Sequence, residues 1–427
     1  MKVSVWLTAA AIAAFPGSRA IAAQDAPTGL TVQQAVDEAV QKNLSLLAQR
    51  MSLSVADAAV ITARLRPNPV LTGDADGLDV LGTGFSPENG AGPQQYAVRV
   101  DVPFERGGKR ELRTSLAGQA RQVAEAQFAD AVRRLKQDVT LACVDILEAK
   151  AMLQLAQDNF HALEQLVQLN DRRLSSGAIP ELEVTRSRVA MLQYRSSVRS
   201  AELVLASARL KLLPLLGRTA VDRPVDIVDP LGLPPAAQAP DLESLQQAAR
   251  LARPDLAAVH YDQARTQADV RLQLAQGKVD YTVGAEYRRQ QGVNARGNLL
   301  GVFVSVPLPF FNRNQGEIAR ASAERDKAGR SLTALENDLA SEVAVAHQEY
   351  ESARMLLADI ERDLLQPTRE ARAGTVYVYQ AGATSLLDVL DAQRAFNETM
   401  ATYYAAQATY RRAQARLALA VGKDVLP

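Results

Sequence analysis

The strongest constraint in this sequence is a long run of apolar residues that recur in alternating steps of four and three. It lies in the segment from Phe104 to Ile179, which contains no proline. The residues are Phe128, Val132, Leu135, Val139, Ala142, Ile146, Ala149, Leu153, Ala156, Phe160, Leu163 and Val167. A mean spacing of about 3.5 residues is typical of helices that pair in a left-handed coiled coil. The sequence therefore predicts one helix over residues 106–175, about 100 Å long.

The same pattern returns in the second half of the chain, which indicates a tandem duplication. Its apolar residues are Leu335, Leu339, Val343, Ala346, Tyr350, Ala353, Leu357, Ile360 and Leu364. Pro367 interrupts this second pattern, so we expect a kink there. We expect a first repeat at 24–217, a proline-rich linker at 218–241 and a second repeat at 242–427.

Each repeat is predicted to contain a helix, a β-hairpin, a very long helix, a helical tip and a last helix. The first helices open at the candidate N-caps Thr31 and Asp241, and we expect them to end before Pro67 and near Gly277. In the first repeat we expect the β-hairpin at about 68–104, the long helix at about 106–175, the tip at 175–184 and the last helix on to 217. In the second repeat we expect the same elements at about 279–308, about 314–380, 380–389 and on to 422.

Apolar and polar residues alternate in the segments predicted as strands. The apolar rows include Tyr96, Val98, Val100 and Val102 in the first repeat and Val302, Val304 and Val306 in the second. This period of two is typical of a sheet with one apolar face, and strands of about ten residues suit a tilted crossing of a membrane. Four strands cannot close a barrel, which needs about eight, so the pattern predicts an oligomer that shares one barrel.

The composition excludes several classes of function. Lys plus Arg and Asp plus Glu both number 48, so no net charge attracts nucleic acid. The histidines lie far apart, without metal-ligand partners at useful spacing, so we expect no metal centre, no cofactor and no enzymatic activity. The single cysteine, Cys143, excludes an internal disulfide and is expected to be a buried apolar residue.

Residues 1–23 have the features of a secretory signal peptide. Lys2 precedes an apolar stretch from Val3 to Phe15, and Ala20-Ile-Ala-Ala23 is a candidate cleavage site. We therefore expect the mature chain to lie outside the cytoplasm. No apolar run of about 18 residues follows, so we expect no membrane-spanning helix.

Two segments with a central glycine are predicted to be the tips of helical hairpins. In the second, Gly382 interrupts the helical pattern, Ser385 is a candidate N-cap, and Asp388 and Asp391 follow on the next helix. The first tip is its equivalent, with Gly177 opposite Gly382 and Glu183 opposite Asp388.

The chain resembles the TolC outer-membrane factor family over nearly its whole mature length. The resemblance rests on the duplication, the two strand pairs and the segment Tyr379-Gln-Ala-Gly…Leu387-Asp-Val-Leu-Asp-Ala392. It implies a homotrimeric, mainly α-helical protein whose 12-stranded β-barrel, about four strands from each copy, lies in the lipid of the cell outer membrane and continues as a long periplasmic α-barrel. It also implies a passive exit duct of a tripartite system, joined through a periplasmic membrane-fusion adaptor to an inner-membrane RND pump.

The junctions between strands and long helices resemble the cobalt-zinc-cadmium (CzcC-like) heavy-metal branch of this family. The residues that carry this likeness are Pro103, Gly107, Gly108, Pro307, Asn312 and Gly316. The resemblance implies export of divalent cations such as zinc, cobalt and cadmium. Efflux of drugs or other organic solutes, type I protein secretion and a periplasmic coiled-coil adaptor are the alternatives.

The resemblance also implies a periplasmic gate. Asp388 and Asp391 correspond to family positions that form acidic rings, although negative charge suits any helix N-terminus. Some members brace the closed gate with an arginine at the position of Thr384, which reaches the position of Glu183. Thr384 lacks that charge, and the sequence leaves open what replaces it, with Glu181, Arg186 and Arg188 as candidates.

The tips themselves correspond to the positions where the family docks its adaptor. These are Ser176, Gly177 and Ala178 in the first repeat and Ala381, Gly382 and Ala383 in the second. An ordinary turn between two helices needs the same glycines. The pattern is therefore compatible both with adaptor docking and with a purely structural turn.

Overall fold

The structure is a computed structural model that describes residues 29–78, 80–82, 94–219, 225–232, 241–291 and 296–423. The expected signal peptide at 1–23 lies outside the described residues, as do parts of the linker and of the two strand-connecting loops. The helices are α1 (Val32–Lys42), α2 (Leu44–Arg64), α3 (Lys109–Ser175), α4 (Glu181–Leu215), α5 (Leu242–Ala252), α6 (Pro254–Gln276), α7 (Gln315–Asp359), α8 (Leu365–Gln380) and α9 (Leu386–Val421). The strands are β1 (Val70–Asp76), β2 (Gln95–Phe104), β3 (Tyr281–Gln291) and β4 (Arg296–Ser305).

The first helix of each repeat is broken, which the sequence analysis did not predict. Thr31 and Asp241 are the N-caps expected, but α1 ends at Lys42 and α5 at Ala252. Asn43 ends α1 and caps α2, because its Oδ1 accepts a hydrogen bond from the Leu46 amide at 2.9 Å. In the second repeat Pro254 starts α6, since a proline is tolerated in the first turn of a helix but not in its interior.

The long helix α3 is continuous over 67 residues and forms the centre of the protomer. It packs against α4 to form the first hairpin, against α2 and α6 toward the sheet, and against α9 of the second hairpin. Its predicted apolar row is buried or half-buried throughout, and Val139, Ile146 and Cys143 are completely covered. The coiled-coil periodicity therefore predicted this core correctly.

A π-helical turn at Ile360–Leu364 interrupts the corresponding helix of the second repeat. Pro367 has no N–H and cannot donate the usual hydrogen bond within the helix. The wider π-helical turn lies just before it, so the interruption expected at this proline is present. The turn inserts one residue into the pattern. As a result Leu364, predicted as a core residue, is 49% exposed, and Leu365 takes its place at 9%.

The four strands form one antiparallel sheet in the order β1-β2-β3-β4. The two hairpins meet through β2 and β3, where Val98 lies opposite Tyr287. Within the described part of one chain, β1 and β4 are the edges and each has one hydrogen-bonded neighbour. Such a sheet offers both edges to further strands.

The polarity of this sheet is the reverse of that in a water-soluble protein. The apolar row is exposed, with Val302 at 80%, whereas Glu286 on the opposite face is 6% exposed. The sheltered face carries ion pairs, including Arg99 Nε with Asp101 Oδ2 at 2.8 Å and Arg288 Nε with Glu286 Oε1 at 2.9 Å. An apolar outer face with a polar inner face is the pattern of a strand that borders lipid on one side.

One helix contradicts the expectation that no helix is long and apolar enough to span a membrane. Over the described residues α2 meets that criterion, with 21 residues and a window of mean hydropathy 1.3, of which 6% is buried. The apolar residues of α2 are interspersed with small and polar ones, so no unbroken run appears in the sequence. Length and composition alone do not distinguish a span from a helix that packs against a neighbour.

Candidate functional site

Both hairpin tips are built from the same turn. After α3, the amide of Gly177 donates to Leu174 O and that of Ala178 to Arg173 O, at 2.9 and 2.8 Å. After α8, Gly382 and Ala383 donate to the equivalent carbonyls at 2.9 and 3.0 Å. This is the Schellman ending of a helix, which requires a left-handed residue, and Gly177 and Gly382 have φ of 74° and 80°. Positive φ, rather than close approach of a neighbour, explains both glycines.

The tips present small residues to solvent. Ser176, Gly177 and Ala178 in one tip and Ala381, Gly382 and Ala383 in the other are all exposed. A Cβ added at Gly177 would meet nothing within 4 Å. The two turns therefore expose no large side chain at these six positions.

Asp388 is held by the turn that precedes α9. Its Oδ2 accepts hydrogen bonds from Thr384 Oγ1 at 2.6 Å, Ser385 Oγ at 2.7 Å and the Ser385 amide at 3.1 Å. These bonds, first that from Thr384, lower the pKa of Asp388 below its ordinary value. Asp388 thus closes a capping box with Ser385, and its carboxylate is held ionised at the exposed end of the helix.

Asp391 lies one turn further along α9. Its Oδ1 is 3.4 Å from Arg394 Nη1, and both side chains are exposed. An exposed pair of this kind contributes little stability and compensates the aspartate charge only in part. Asp388 and Asp391 therefore share the same end of α9 but have different surroundings.

The two tips are tied together by side chains that the sequence analysis did not assign to this role. The Tyr379 hydroxyl donates to Asn170 Oδ1 at 2.8 Å and lies 3.5 Å from Glu183 Oε2. Arg173 Nη2 donates to Gln380 O at 2.9 Å. Burial raises the pKa of Tyr379, so its hydroxyl keeps the proton that it donates. Glu183 thus lies beside a tyrosine.

The three residues that the sequence left open as braces of the gate differ in their contacts. Arg188 Nη2 pairs with Asp171 Oδ1 at 2.8 Å, but both belong to the first hairpin. Within the described residues Glu181 and Arg186 form no ion pair. Tyr379 belongs to the segment that carries the family resemblance. The only sequence signal for its role is a hydroxyl at the otherwise apolar end of a helix, because a tyrosine hydroxyl usually finds a hydrogen-bond partner when it is buried.

The predicted strand–helix junctions lie together at the other end of the molecule. Gly107 and Gly108 both have positive φ, at 77° and 68°, and Gly108 precedes α3. In the second repeat that conformation is adopted by Asn314, with φ of 63°, rather than by Asn312 or Gly316. Asn312 Oδ1 instead accepts from the Asn314 amide at 2.9 Å, and Gly316 lies inside α7. Asparagine tolerates the left-handed region better than most residues.

A buried lysine joins the first junction to the segment that leads into β3. Lys109 Nζ donates to Asp280 Oδ2 at 2.7 Å and to Lys278 O at 2.8 Å. Asp280 Oδ1 also accepts from the Arg106 amide at 2.8 Å. The start of α3 is thereby fixed to the start of β3, 171 residues away. The sequence pattern gave no indication of this pair.

Comparison with known proteins identifies the family. The family model described as outer membrane efflux protein matches residues 35–218 and, separately, residues 245–423. The chain belongs to the outer membrane efflux protein family. The family resemblance inferred from the sequence is confirmed, and members of this family are transport ducts rather than enzymes.

Curated relatives in this family cover most of the chain. The cobalt-zinc-cadmium resistance protein CzcC of Cupriavidus metallidurans is 26% identical over 380 residues, which cover 89% of this chain and 87% of the relative. The pyoverdine export outer membrane protein OpmQ of Pseudomonas aeruginosa is 24% identical over 368 residues, covering 82% and 70%. The likeness to CzcC that the junctions predicted is thus found across the chain.

Solved structures of a transmembrane channel and of an outer membrane protein have the same protomer fold. CusC matches with a TM-score of 0.75 at 19% identity and covers 92% of both chains. VceC of Vibrio cholerae matches with a TM-score of 0.72 at 16% identity, covering 92% of this chain and 96% of that one. The predicted fold class, a mainly helical two-repeat protomer with a small sheet, is confirmed.

Proposed function

We propose that three copies of this chain form an exit duct in the outer membrane of a cell, with its helical part in the periplasm. The observation that carries the proposal is the sheet with exposed apolar rows, sheltered ion pairs and two open edges. Joining β1 of one copy to β4 of the next satisfies both edges and encloses the polar face. Three copies supply about twelve strands, within the range of closed membrane barrels.

The helical part also calls for further copies. Leu44, Leu47, Met51 and Val55 form one stripe along α2 at helical spacing, and all four are exposed in the single chain. A second stripe lies on α4 and includes Leu182, Val189 and Leu192. Burying such stripes against neighbouring helices stabilises an oligomer by roughly 25 cal/mol per Å² of apolar surface. This packing accounts for the apolar character of α2 without a helical membrane span.

The hairpin tips are proposed to form the periplasmic mouth and its gate. On a threefold axis, three copies of Asp388 and Asp391 would make a negative collar that attracts and delays cations. Glu183, Tyr379, Asn170 and Arg173 would hold the two hairpins of each copy together while the gate is closed. The exposed turns at Gly177 and Gly382 are proposed as the docking points of a periplasmic adaptor, which links the duct to an inner-membrane RND pump.

Divalent heavy-metal cations such as zinc, cobalt and cadmium are the proposed cargo. Support comes from the identity to a cobalt-zinc-cadmium resistance protein over 89% of the chain. Export of organic solutes is the second candidate, because a pyoverdine export protein matches almost as well in identity. Type I protein secretion and an adaptor role have no comparable support among these relatives.

Deletion of the gene in its own host distinguishes the two cargo classes. Loss of tolerance to zinc, cobalt and cadmium, restored by the wild-type gene, is expected for metal export. Unchanged metal tolerance together with new sensitivity to organic toxicants would contradict it and support the second candidate. A strain expressing only the Asp388→Asn variant retains the duct but lacks three of the six proposed collar charges, one from each copy.

A further inference from the structure

An exposed aromatic segment lies between β4 and α7. Val306, Leu308, Phe310 and Phe311 are 45%, 70%, 71% and 94% exposed. Pro307 and Pro309 alternate with the first three and have no N–H to donate, so strand pairing with another chain cannot continue along this segment. Large apolar residues placed together on a surface mark contact with a partner or a membrane.

The backbone of this segment is nevertheless held in place. The Phe310 amide donates to Leu308 O at 2.9 Å, and Gln315 Nε2 donates to Phe311 O at 3.1 Å. Arg313 Nε donates to Pro309 O at 3.3 Å. The two phenylalanine rings are therefore presented outward by a fixed turn.

The ladder register gives the position of this segment relative to the lipid-facing rows. Phe104 lies opposite Tyr281, their rings are stacked with centroids 5.4 Å apart, and Ser305 lies opposite Thr282. Val306 is thus level with this aromatic pair, and Phe310 and Phe311 follow four and five residues later. Aromatic girdles mark the edge of the apolar band of a membrane barrel. The segment lies just beyond that edge, on the side of the helices.

Three exposed cationic side chains lie close to the end of the sheet at which the aromatic segment begins. Lys278 lies against Gly107, since a Cβ there would meet Lys278 Cδ at 2.9 Å, and Arg313 lies against Gly277, whose added Cβ would meet Arg313 O at 2.9 Å. Arg106 precedes Gly107 in the chain. All three side chains are exposed and, within the described residues, form no ion pair. Phosphate groups are suitable partners for unpaired Arg and Lys side chains next to apolar ones.

We propose that Phe310 and Phe311 insert into the head-group region of the periplasmic leaflet, where Arg106, Lys278 and Arg313 contact lipid phosphates. The inference rests on the proposed function, because it takes the apolar rows of the sheet to face lipid. The segment then anchors the duct at the depth where its strands change into helices. A lipid surface fits better than a second copy, because the segment continues a lipid-facing row and carries cations beside it.

Single-tryptophan variants test this depth directly. Trp6 is the only tryptophan in the sequence and lies in the expected signal peptide, so a Trp6→Phe background leaves one reporter in each variant. Phe311→Trp, Val302→Trp on the apolar row and Tyr377→Trp near the tip are purified as the full protein. Each is reconstituted into vesicles of phosphatidylethanolamine and phosphatidylglycerol that carry bromine either near the head group or near the acyl methyl end.

Bromine near the head group is expected to quench the tryptophan at 311 more than bromine near the methyl end, and the reverse is expected at 302. The reporter at 377 should be unaffected by either lipid. Replacing Arg106, Lys278 and Arg313 by Gln should reduce the quenching at 311 and shift its emission to the red. Quenching at 302 without quenching at 311 would overturn the anchor but leave the duct intact, and a blue-shifted emission at 311 would then indicate cover by a second copy. Absence of quenching at both positions would overturn the proposed membrane duct as well.

Discussion

The guanidinium of Arg173 lies 5.0 Å from the ring centroid of Tyr379 and connects the end of α3 to the end of α8. The same guanidinium donates to the adjacent carbonyl of Gln380 at 2.9 Å, and the tyrosine hydroxyl reaches Asn170 and Glu183. One cation and one ring thus join the two hairpins of a protomer near their tips. These contacts tie the two hairpins together without an arginine at the position of Thr384.

Removal of these ties is expected to loosen the proposed gate. Arg173→Ala and Tyr379→Phe should each raise the mean single-channel conductance in planar bilayers, and the double variant should raise it further. A hydrogen bond stabilises by about 0.5–1.5 kcal/mol between neutral groups, as for Tyr379 with Asn170, and by about 1.5–3 kcal/mol where one group is charged, as for Arg173. Tyr377→Phe is the matched control, because Tyr377 is 74% exposed. Conductance equal to wild type in both single variants and the double variant would show that the ties do not hold the gate.

The charge of Asp388 in the proposed collar is expected to persist in acid. Hydrogen bonds from Thr384 and Ser385 lower the pKa of Asp388 below 3.8. Because the pKa of Asp388 is lower in the folded than in the unfolded chain, its ionised form stabilises the fold above the unfolded pKa. This stabilisation is lost as the pH falls through the folded pKa. Block of the current by divalent cations should therefore persist to lower pH in the wild type than an aspartate of ordinary pKa would allow. Asp388→Asn should weaken the block at every pH at which Asp388 is ionised in the wild type, and Thr384→Val should move the loss of the block to higher pH.

Asp391→Asn is the matched control for the collar. Because Arg394 compensates part of the Asp391 charge, this variant should weaken the block less than Asp388→Asn does. If neither variant changes the block, both aspartates serve only the start of α9.

The glycines that end the two repeats are expected to resist substitution. Gly217 and Gly422 have φ of 71° and 83°. A Cβ at Gly217 would overlap the carbonyl of Lys42, and one at Gly422 would lie 3.2 Å from the Ala252 carbonyl. Gly217→Ala should lower the free energy of unfolding by at least 1–3 kcal/mol, roughly the cost of strained backbone, as measured by denaturant titration of helical circular dichroism.

Gly316→Ala is the opposite control. Gly316 lies inside α7 with nothing within 4 Å of an added Cβ. The substitution should raise the free energy of unfolding by about 0.5–1 kcal/mol, because alanine loses less conformational freedom in a helix. Equal effects of the Gly217 and Gly316 substitutions would contradict the role of positive φ.

Cys143 is expected to be inert in the folded protein. Burial raises the pKa of its thiol from 9.0 to about 12. Below pH 9 the thiol is neutral in both folded and unfolded chains, whereas above it the unfolded chain releases its proton first and stability falls. A thiol reagent at pH 8 should therefore label the protein only in denaturant. Rapid labelling of the folded protein would contradict the burial.

The spacing of apolar residues predicted the helices well. It failed at the π-helical turn, which adds one residue to the pattern, and at Asn43, which ends one helix and caps the next. The row from Phe128 to Val167 is the core of α3, because its spacing is a local property that any straight helix converts into one face. Leu364 was placed in the core wrongly, since the π-turn shifts the face by one residue. The break at Asn43 was also missed, because a buried asparagine within an apolar pattern resembles an ordinary interruption.

By itself the sequence determined the two repeats, the long helices, the alternating strands and the glycine turns at both tips. Each of these depends on the spacing of residues near one another in the chain. The tertiary structure decided the pairing of β2 with β3, the exposure of the apolar row, and the contacts of Lys109 with Asp280 and of Tyr379 with Asn170. These pairs are 171 and 209 residues apart. Periodicity contains no information about contacts at that separation, because they arise only when the two repeats pack side by side.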